Sequence, residues 1–107
     1  MQEIPESDWN YLRTIKDKML ETLCRRLNDA ALLICTDTNL RESEKYQRLR
    51  EHIFGESERV ARCFDDWRRS NIIIKLLALQ QERLLTEDHL SHLSTETRQS
   101  LKGLSEI

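Results

Sequence analysis

Histidines and cysteines are the side chains of this sequence that could bind a metal ion. His89 and His92 lie three residues apart with Asp88 beside them. The cysteines are scattered at Cys24, Cys35 and Cys63. Structural zinc sites combine close Cys or His pairs from separate segments, and helical di-iron sites need Glu-x-x-His on two helices. Neither pattern is present in this sequence, and we therefore predict no metal site and no cofactor.

Groups that could catalyse a reaction are equally sparse. The sequence has only two glycines, so it lacks a glycine-rich loop that could hold a phosphate. Cys24 precedes two arginines, which would favour its thiolate form, but it also adjoins Leu23 on an apolar helical stripe and fits the edge of a core. Asp65 and Asp66 would point about 100° apart on a helix, which does not suit a paired acid and base. We predict that the protein is not an enzyme.

The composition predicts an all-α protein. Two glycines and one proline in 107 residues leave few tight turns, whereas the abundant Leu, Glu, Arg, Ala and Gln favour helices. A net charge of −2 gives no global attraction to nucleic acid or anionic lipid. The sequence opens without the apolar run of a secretory signal, and its three cysteines, an odd number, indicate reduced thiols. We therefore expect a cytoplasmic protein without a membrane segment.

Two helices are predicted in the first half of the chain. A stripe of apolar residues recurs every three or four positions over residues 7–36 and predicts one long helix. A shorter helix is predicted over residues 40–54, with Tyr46 and Ile53 on its inner face. We expect this second helix to end at Gly55, because glycine adopts the left-handed conformation that terminates many helices.

The second half of the chain predicts one more long helix and a tail. An apolar stripe indicates a helix over residues 57–84, with a bend near residues 69–71. Two further start signals predict short tail helices within residues 87–104. Together the four segments predict a single domain over residues 1–107, built as a small bundle of two long helices, one shorter helix and a short helical tail.

One segment is far more apolar than the rest of the chain. Seven of the eight residues from Ile72 to Leu79 are apolar, which is too short a run to span a membrane. A helix that is apolar all round is buried on every side, so either the tail helices or a second chain must cover it. We favour a second chain, because an exposed apolar patch promotes association and Trp and Arg are enriched at interfaces. The predicted interface residues are Trp67, Arg68, Ile72, Ile73, Leu76 and Leu79.

These patterns predict a non-catalytic protein that acts through a protein surface, as an adaptor, regulator or assembly subunit. We expect it to self-associate as a homodimer by pairing its long helices into a four-helix-like core, or to bind another protein. Twelve of the 17 basic residues are arginine, which supports nucleic-acid binding as the alternative. In that alternative, an antiparallel pair of long helices would bring together Arg25, Arg26, Arg68 and Arg69.

Overall fold

The structure is a computed structural model, and it describes residues 3–107. Residues 1 and 2, which belong to the predicted single domain, lie outside the described residues. Five helices and no strand occur within residues 3–107, which confirms the all-α class. Over the same residues, no helix combines the length and the apolar character needed to cross a membrane. The helices are α1 (Glu6–Cys35), α2 (Glu42–Phe64), α3 (Ile72–Gln81), α4 (Glu87–Ser91) and α5 (Thr95–Ser105).

Helix α1 confirms the prediction for residues 7–36 to within one residue at each end. Two acidic residues, Glu6 and Asp8, lie in its first turn, where a carboxylate is stabilised by the helix dipole. After α1 ends, the Asp37 carboxylate accepts a hydrogen bond from the backbone N–H of Asn39 at 2.9 Å, which forms a local turn. This turn reverses the chain and leads it into α2.

The prediction that Gly55 ends the second helix is wrong. Helix α2 continues through Gly55 to Phe64, and the glycine does not adopt a positive φ angle. Glycine inside a helix costs only about 1 kcal/mol relative to alanine. The strong helix formers on both sides offset that cost, so the second helix is 23 residues long.

The prediction of one long helix over residues 57–84 is also wrong, because these residues belong to two different helices. Asp65 adopts an extended conformation with ψ 146°, and Asp66 has a positive φ of 54°. The Asn71 side chain accepts from the Arg68 backbone N–H and donates to the Asp66 carbonyl, both at 2.9 Å. These two bonds satisfy backbone polar groups at the break between the two helices. The break contains the bend that was predicted near residues 69–71. Helix α3 then has only 10 residues.

Helices α1 and α2 pack side by side in antiparallel orientation. Near the start of α1, the Arg69 guanidinium donates to the carbonyl oxygen of Ile4 at 2.8 Å. Further along α1, the His52 ring Nε2 donates to the carbonyl oxygen of Leu27 at 2.9 Å. Early residues of α1 therefore lie beside late residues of the α2 segment, as in a helical hairpin.

The tail completes a core at one end of this hairpin. Helix α3 packs against both α2 and α5. The two tail helices confirm the prediction for residues 87–104 closely. Asp8 of α1 is buried and accepts hydrogen bonds from Ser94 and Thr97 at the start of α5, which fixes the tail to the hairpin. The largest completely buried side chains of this core are Leu12, Leu23, Ile72, Leu76 and Leu79.

Candidate functional site

The hairpin extends well beyond the core as a thin arm. No residue from 24 to 62 is buried, although this segment contains parts of both long helices and the loop between them. The molecule measures 53 × 23 × 23 Å, and its radius of gyration is 17.0 Å. A compact chain of this length would have a radius of gyration of about 13 Å. We call residues 24–62 the hairpin arm.

The arm is uncovered because α3 is too short to follow it. Ten residues of α3 extend about 15 Å, whereas the 30 residues of α1 extend about 45 Å. The Arg26 guanidinium donates to the carbonyl oxygens of Glu82 and Arg83 at 2.8 and 3.3 Å, so α3 ends beside Arg26. Leu33 lies two helical turns further along the same side of α1, and it is 73% exposed.

Large apolar side chains are concentrated on this arm. Five of the seven exposed large apolar residues in the described part of the chain belong to it, and each is more than half exposed. They are Leu32, Leu33, Tyr46, Ile53 and Phe54. At about 200 Å² for a fully exposed large side chain, they present roughly 600 Å² to solvent. This exposed apolar area is divided between α1, which carries Leu32 and Leu33, and α2, which carries the other three side chains.

A shallow groove runs between the two helices of the arm. It has a volume of about 230 Å³. Ala31 and Leu27 contribute to its α1 wall, while Ile53 and Val60 contribute to its α2 wall. His52 also lines the groove, and its bond to the Leu27 carbonyl joins the two helices there. The groove and the exposed Ile53 together give the arm both a concave and a projecting apolar element.

Four of the six predicted interface residues are instead part of the core of a single chain. Ile72, Leu76 and Leu79 are completely buried, and Ile73 is 5% exposed. Helix α5 packs against α3 within the same chain. The prediction that these four side chains face a second chain is therefore wrong. The alternative, in which the tail covers the stretch, accounts for the apolar character of α3.

The other two predicted interface residues lie at the opposite end of the molecule from the arm tip. The Trp67 indole N–H donates to the Cys63 carbonyl at 2.7 Å, and the ring lies 6.5 Å from that of Trp9 between centroids. Arg68 is exposed and forms an ion pair with Asp66 at 3.2 Å. Trp67 is half-buried within the chain, so only Arg68 is freely exposed to a partner.

The prediction that four arginines cluster to bind nucleic acid is wrong about their positions. Arg26 lies beside the end of α3, while Arg69 donates to Ile4 at the start of the hairpin. Because 22 residues separate positions 4 and 26 along the chain, the helix between them places these sites about 30 Å apart. Arg25 directly precedes Arg26 in the sequence, and Arg68 is paired with Asp66. The four arginines thus form two separate pairs, and three of them have partners inside the chain.

The histidines contribute to local structure. The His89 ring Nδ1 accepts from the Thr86 backbone N–H at 3.0 Å and caps α4. The His92 ring stacks on Tyr11 with 4.8 Å between centroids, and its Nδ1 donates to the Asp88 carbonyl. Within residues 3–107, no group of three or more His, Cys, Asp or Glu side chains is arranged to hold a metal ion.

The three cysteines are free thiols in different surroundings. Cys35 is exposed near the arm tip, Cys24 is half-buried and Cys63 is buried. Burial raises the pKa of the Cys63 thiol, and the nearby Glu82 carboxylate raises it further. A raised pKa disfavours the nucleophilic thiolate, so Cys63 is suited to packing.

Sequence reasoning missed the arm because it assigned Tyr46 and Ile53 to an inner face. The structure exposes 72% of Tyr46 and 55% of Ile53. A signal for the arm does exist in α1, where Leu32, Leu33 and Ile34 are consecutive apolar residues. Successive helical residues point about 100° apart, so these three side chains cannot all face α2.

Comparisons with known proteins give no independent indication of what the arm binds. No protein-family model matches the chain, and searches of curated proteins and of solved structures found no match. The role of the arm must therefore be inferred from its own exposed side chains, charges and dimensions.

Proposed function

We propose that this protein acts without catalysis, as an adaptor, regulator or assembly subunit, and that the hairpin arm is its interaction surface. The observation that supports this proposal is the absence of buried residues between positions 24 and 62. Isolated helices are marginally stable in water and depend on packing of an apolar face. Two long helices that cover each other on only one side therefore gain stability when a partner packs on the arm.

We further propose that the partner is a second copy of the chain. A stable interface buries about 800 Å² on each partner, and somewhat more than half of that area is apolar. The arm exposes roughly 600 Å² of apolar surface in total, and an interface of this size needs about 450 Å² of apolar area together with surrounding polar groups. Pairing two arms brings four helices together, which is a common way to bury helical faces.

Mutation of Ile53 tests the proposal. Ile53 is 55% exposed in the single chain, so lysine at this position is compatible with the fold. In an arm-to-arm dimer, Ile53→Lys places a charge in an apolar contact, which costs about 3 kcal/mol or more. We expect the dimer dissociation constant, measured by light scattering over a concentration series, to rise about 100-fold or more.

Ile74 provides a matched control. It is also an exposed isoleucine, at 61%, but it lies on α3 outside the arm. Ile74→Lys should leave the dissociation constant unchanged. A dimer weakened equally by both substitutions would contradict the assignment of the interface to the arm, and a monomeric wild-type chain would contradict self-association itself.

A further inference from the structure

One row of side chains on α2 carries opposite charges at its two ends and an apolar side chain at its centre. Arg50, Phe54 and Glu58 are spaced four residues apart, and such residues form a continuous ridge along a helix. Phe54 is 65% exposed at the middle of the row. The row therefore carries a positive group on the side of the arm tip, an apolar ring at its centre and a negative group on the side of the core.

The two charged ends of this row have no ion-pair partner inside the chain. Over residues 3–107, ion pairs within 4.0 Å involve other arginine, lysine and acidic side chains, and none includes Arg50 or Glu58. Arg50 lies over the Phe54 ring, with 5.6 Å between its guanidinium carbon and the ring centroid. Both Arg50 and Glu58 are exposed, so each is available to a second chain.

The wider charge distribution on α2 has the same polarity. From Arg41 to Arg50, the tip half of the arm carries four basic and two acidic residues. From Glu51 to Arg62, the half nearer the core carries three acidic and two basic residues, so it is net negative whereas the tip half is net positive. Two copies aligned in parallel would place like charges together, whereas antiparallel copies place the basic half of each against the acidic half of the other.

We infer that two copies pair their α2 helices antiparallel about a twofold axis at Phe54, with Arg50 of each copy facing Glu58 of the other. This inference depends on the self-association proposed above and specifies its geometry. A twofold interface uses the same patch on both chains, and the Arg50–Phe54–Glu58 row complements itself in this way. The Phe54 rings meet at the axis, and two equivalent ion pairs form, one on each side of it.

Charge reversal tests this geometry. In the antiparallel dimer, Arg50→Glu replaces each of the two ion pairs with a pair of carboxylates that repel each other. Glu58→Arg replaces each ion pair with a pair of guanidinium groups that repel each other. We expect each single substitution to raise the dimer dissociation constant about tenfold at low salt. Added salt should reduce this loss, because salt screens exposed charges. The double variant R50E/E58R restores opposite charges across the axis, and its dissociation constant should return to within about threefold of the wild-type value.

The double variant separates this geometry from a simple loss of side-chain contacts. Removing Arg50 also removes its contact with Phe54, so one variant alone is not decisive. If the losses of the two single variants add in R50E/E58R, the antiparallel pairing at Phe54 is wrong. A dimer that responds to Ile53→Lys but to none of the charge reversals would retain the proposed self-association and overturn only the geometry. A monomeric wild-type chain would overturn both.

Discussion

Replacement of Asp8 by alanine should loosen the docking of the tail onto the hairpin. The Asp8 carboxylate is 3% exposed and lies between the start of α1 and the start of α5. It accepts hydrogen bonds from the Ser94 hydroxyl at 2.6 Å, the Thr97 hydroxyl at 2.5 Å and the Ser94 backbone N–H at 3.1 Å. It is the buried acidic group of the described core, and three donors of α5 converge on it.

The expected loss of stability can be estimated from these bonds. A hydrogen bond to a charged group contributes about 1.5–3 kcal/mol. The Ser94 and Thr97 hydroxyl groups are 3.2 Å apart and can still bond to each other, so the three losses do not simply add. We expect Asp8→Ala to lower the free energy of unfolding by about 3 kcal/mol. That is a substantial part of the 5–15 kcal/mol that is typical of a whole domain.

Urea denaturation at one fixed protein concentration measures this loss, since self-association also affects stability. Asp17→Ala is the matched control. Asp17 is an exposed residue of the same helix, and it forms no ion pair within residues 3–107. The control should lie within about 0.5 kcal/mol of the wild-type value. If Asp8→Ala lies equally close to wild type, the reasoning that Asp8 holds α5 in place is refuted.

Two further predictions concern the arm and the thiols. Gly55→Ala should raise the free energy of unfolding, measured by urea denaturation, by up to about 1 kcal/mol. A Cβ at Gly55 meets no atom within 4 Å, and alanine favours a helix more than glycine does. A destabilised variant would contradict a continuous α2. Alkylation at neutral pH, followed by mass spectrometry, should label the exposed Cys35 first and Cys63 only after unfolding, because Cys63 is buried and its thiol pKa is raised. Rapid labelling of Cys63 in the folded protein would show that the core around it is open.

The helical class and two segments could be predicted from the sequence because local signals dominate there. The long apolar stripe and the acidic first turn define α1, and cap residues such as Thr86 and Ser94 define the starts of the tail helices. In the structure, the side chains of Thr86 and Ser94 accept hydrogen bonds from backbone N–H groups of α4 and α5, as cap residues do. Local chemistry is sufficient for these elements.

The boundary between α2 and α3 could not be predicted from the sequence. It depends both on the small cost of glycine inside a helix and on core contacts made by residues near Phe64. Gly55 is the stronger local signal for a helix end, yet the chain leaves the helical path only after Phe64. Phe64 is buried, and the Trp67 indole bonds back to the Cys63 carbonyl. The core therefore fixes the end of α2, and no residue spacing within α2 reveals where that core begins.

The location of the exposed apolar surface depended on the same boundary. The predictions from the sequence placed Ile53 on an inner face and exposed Ile73 to a second chain. Because α3 has only 10 residues and α5 packs against it, the reverse is observed. An excess of apolar side chains was visible in the sequence, but which of them are exposed depends on the relative lengths of the packed helices.

The solution mass of the unmodified chain tests the central claim most directly. Sedimentation equilibrium over a wide concentration range compares that mass with the 12.8 kDa of one chain. We predict twice this mass at the upper concentrations, with a reversible shift toward one chain on dilution. A mass of one chain at every concentration would contradict the proposal that the hairpin arm pairs with a second copy.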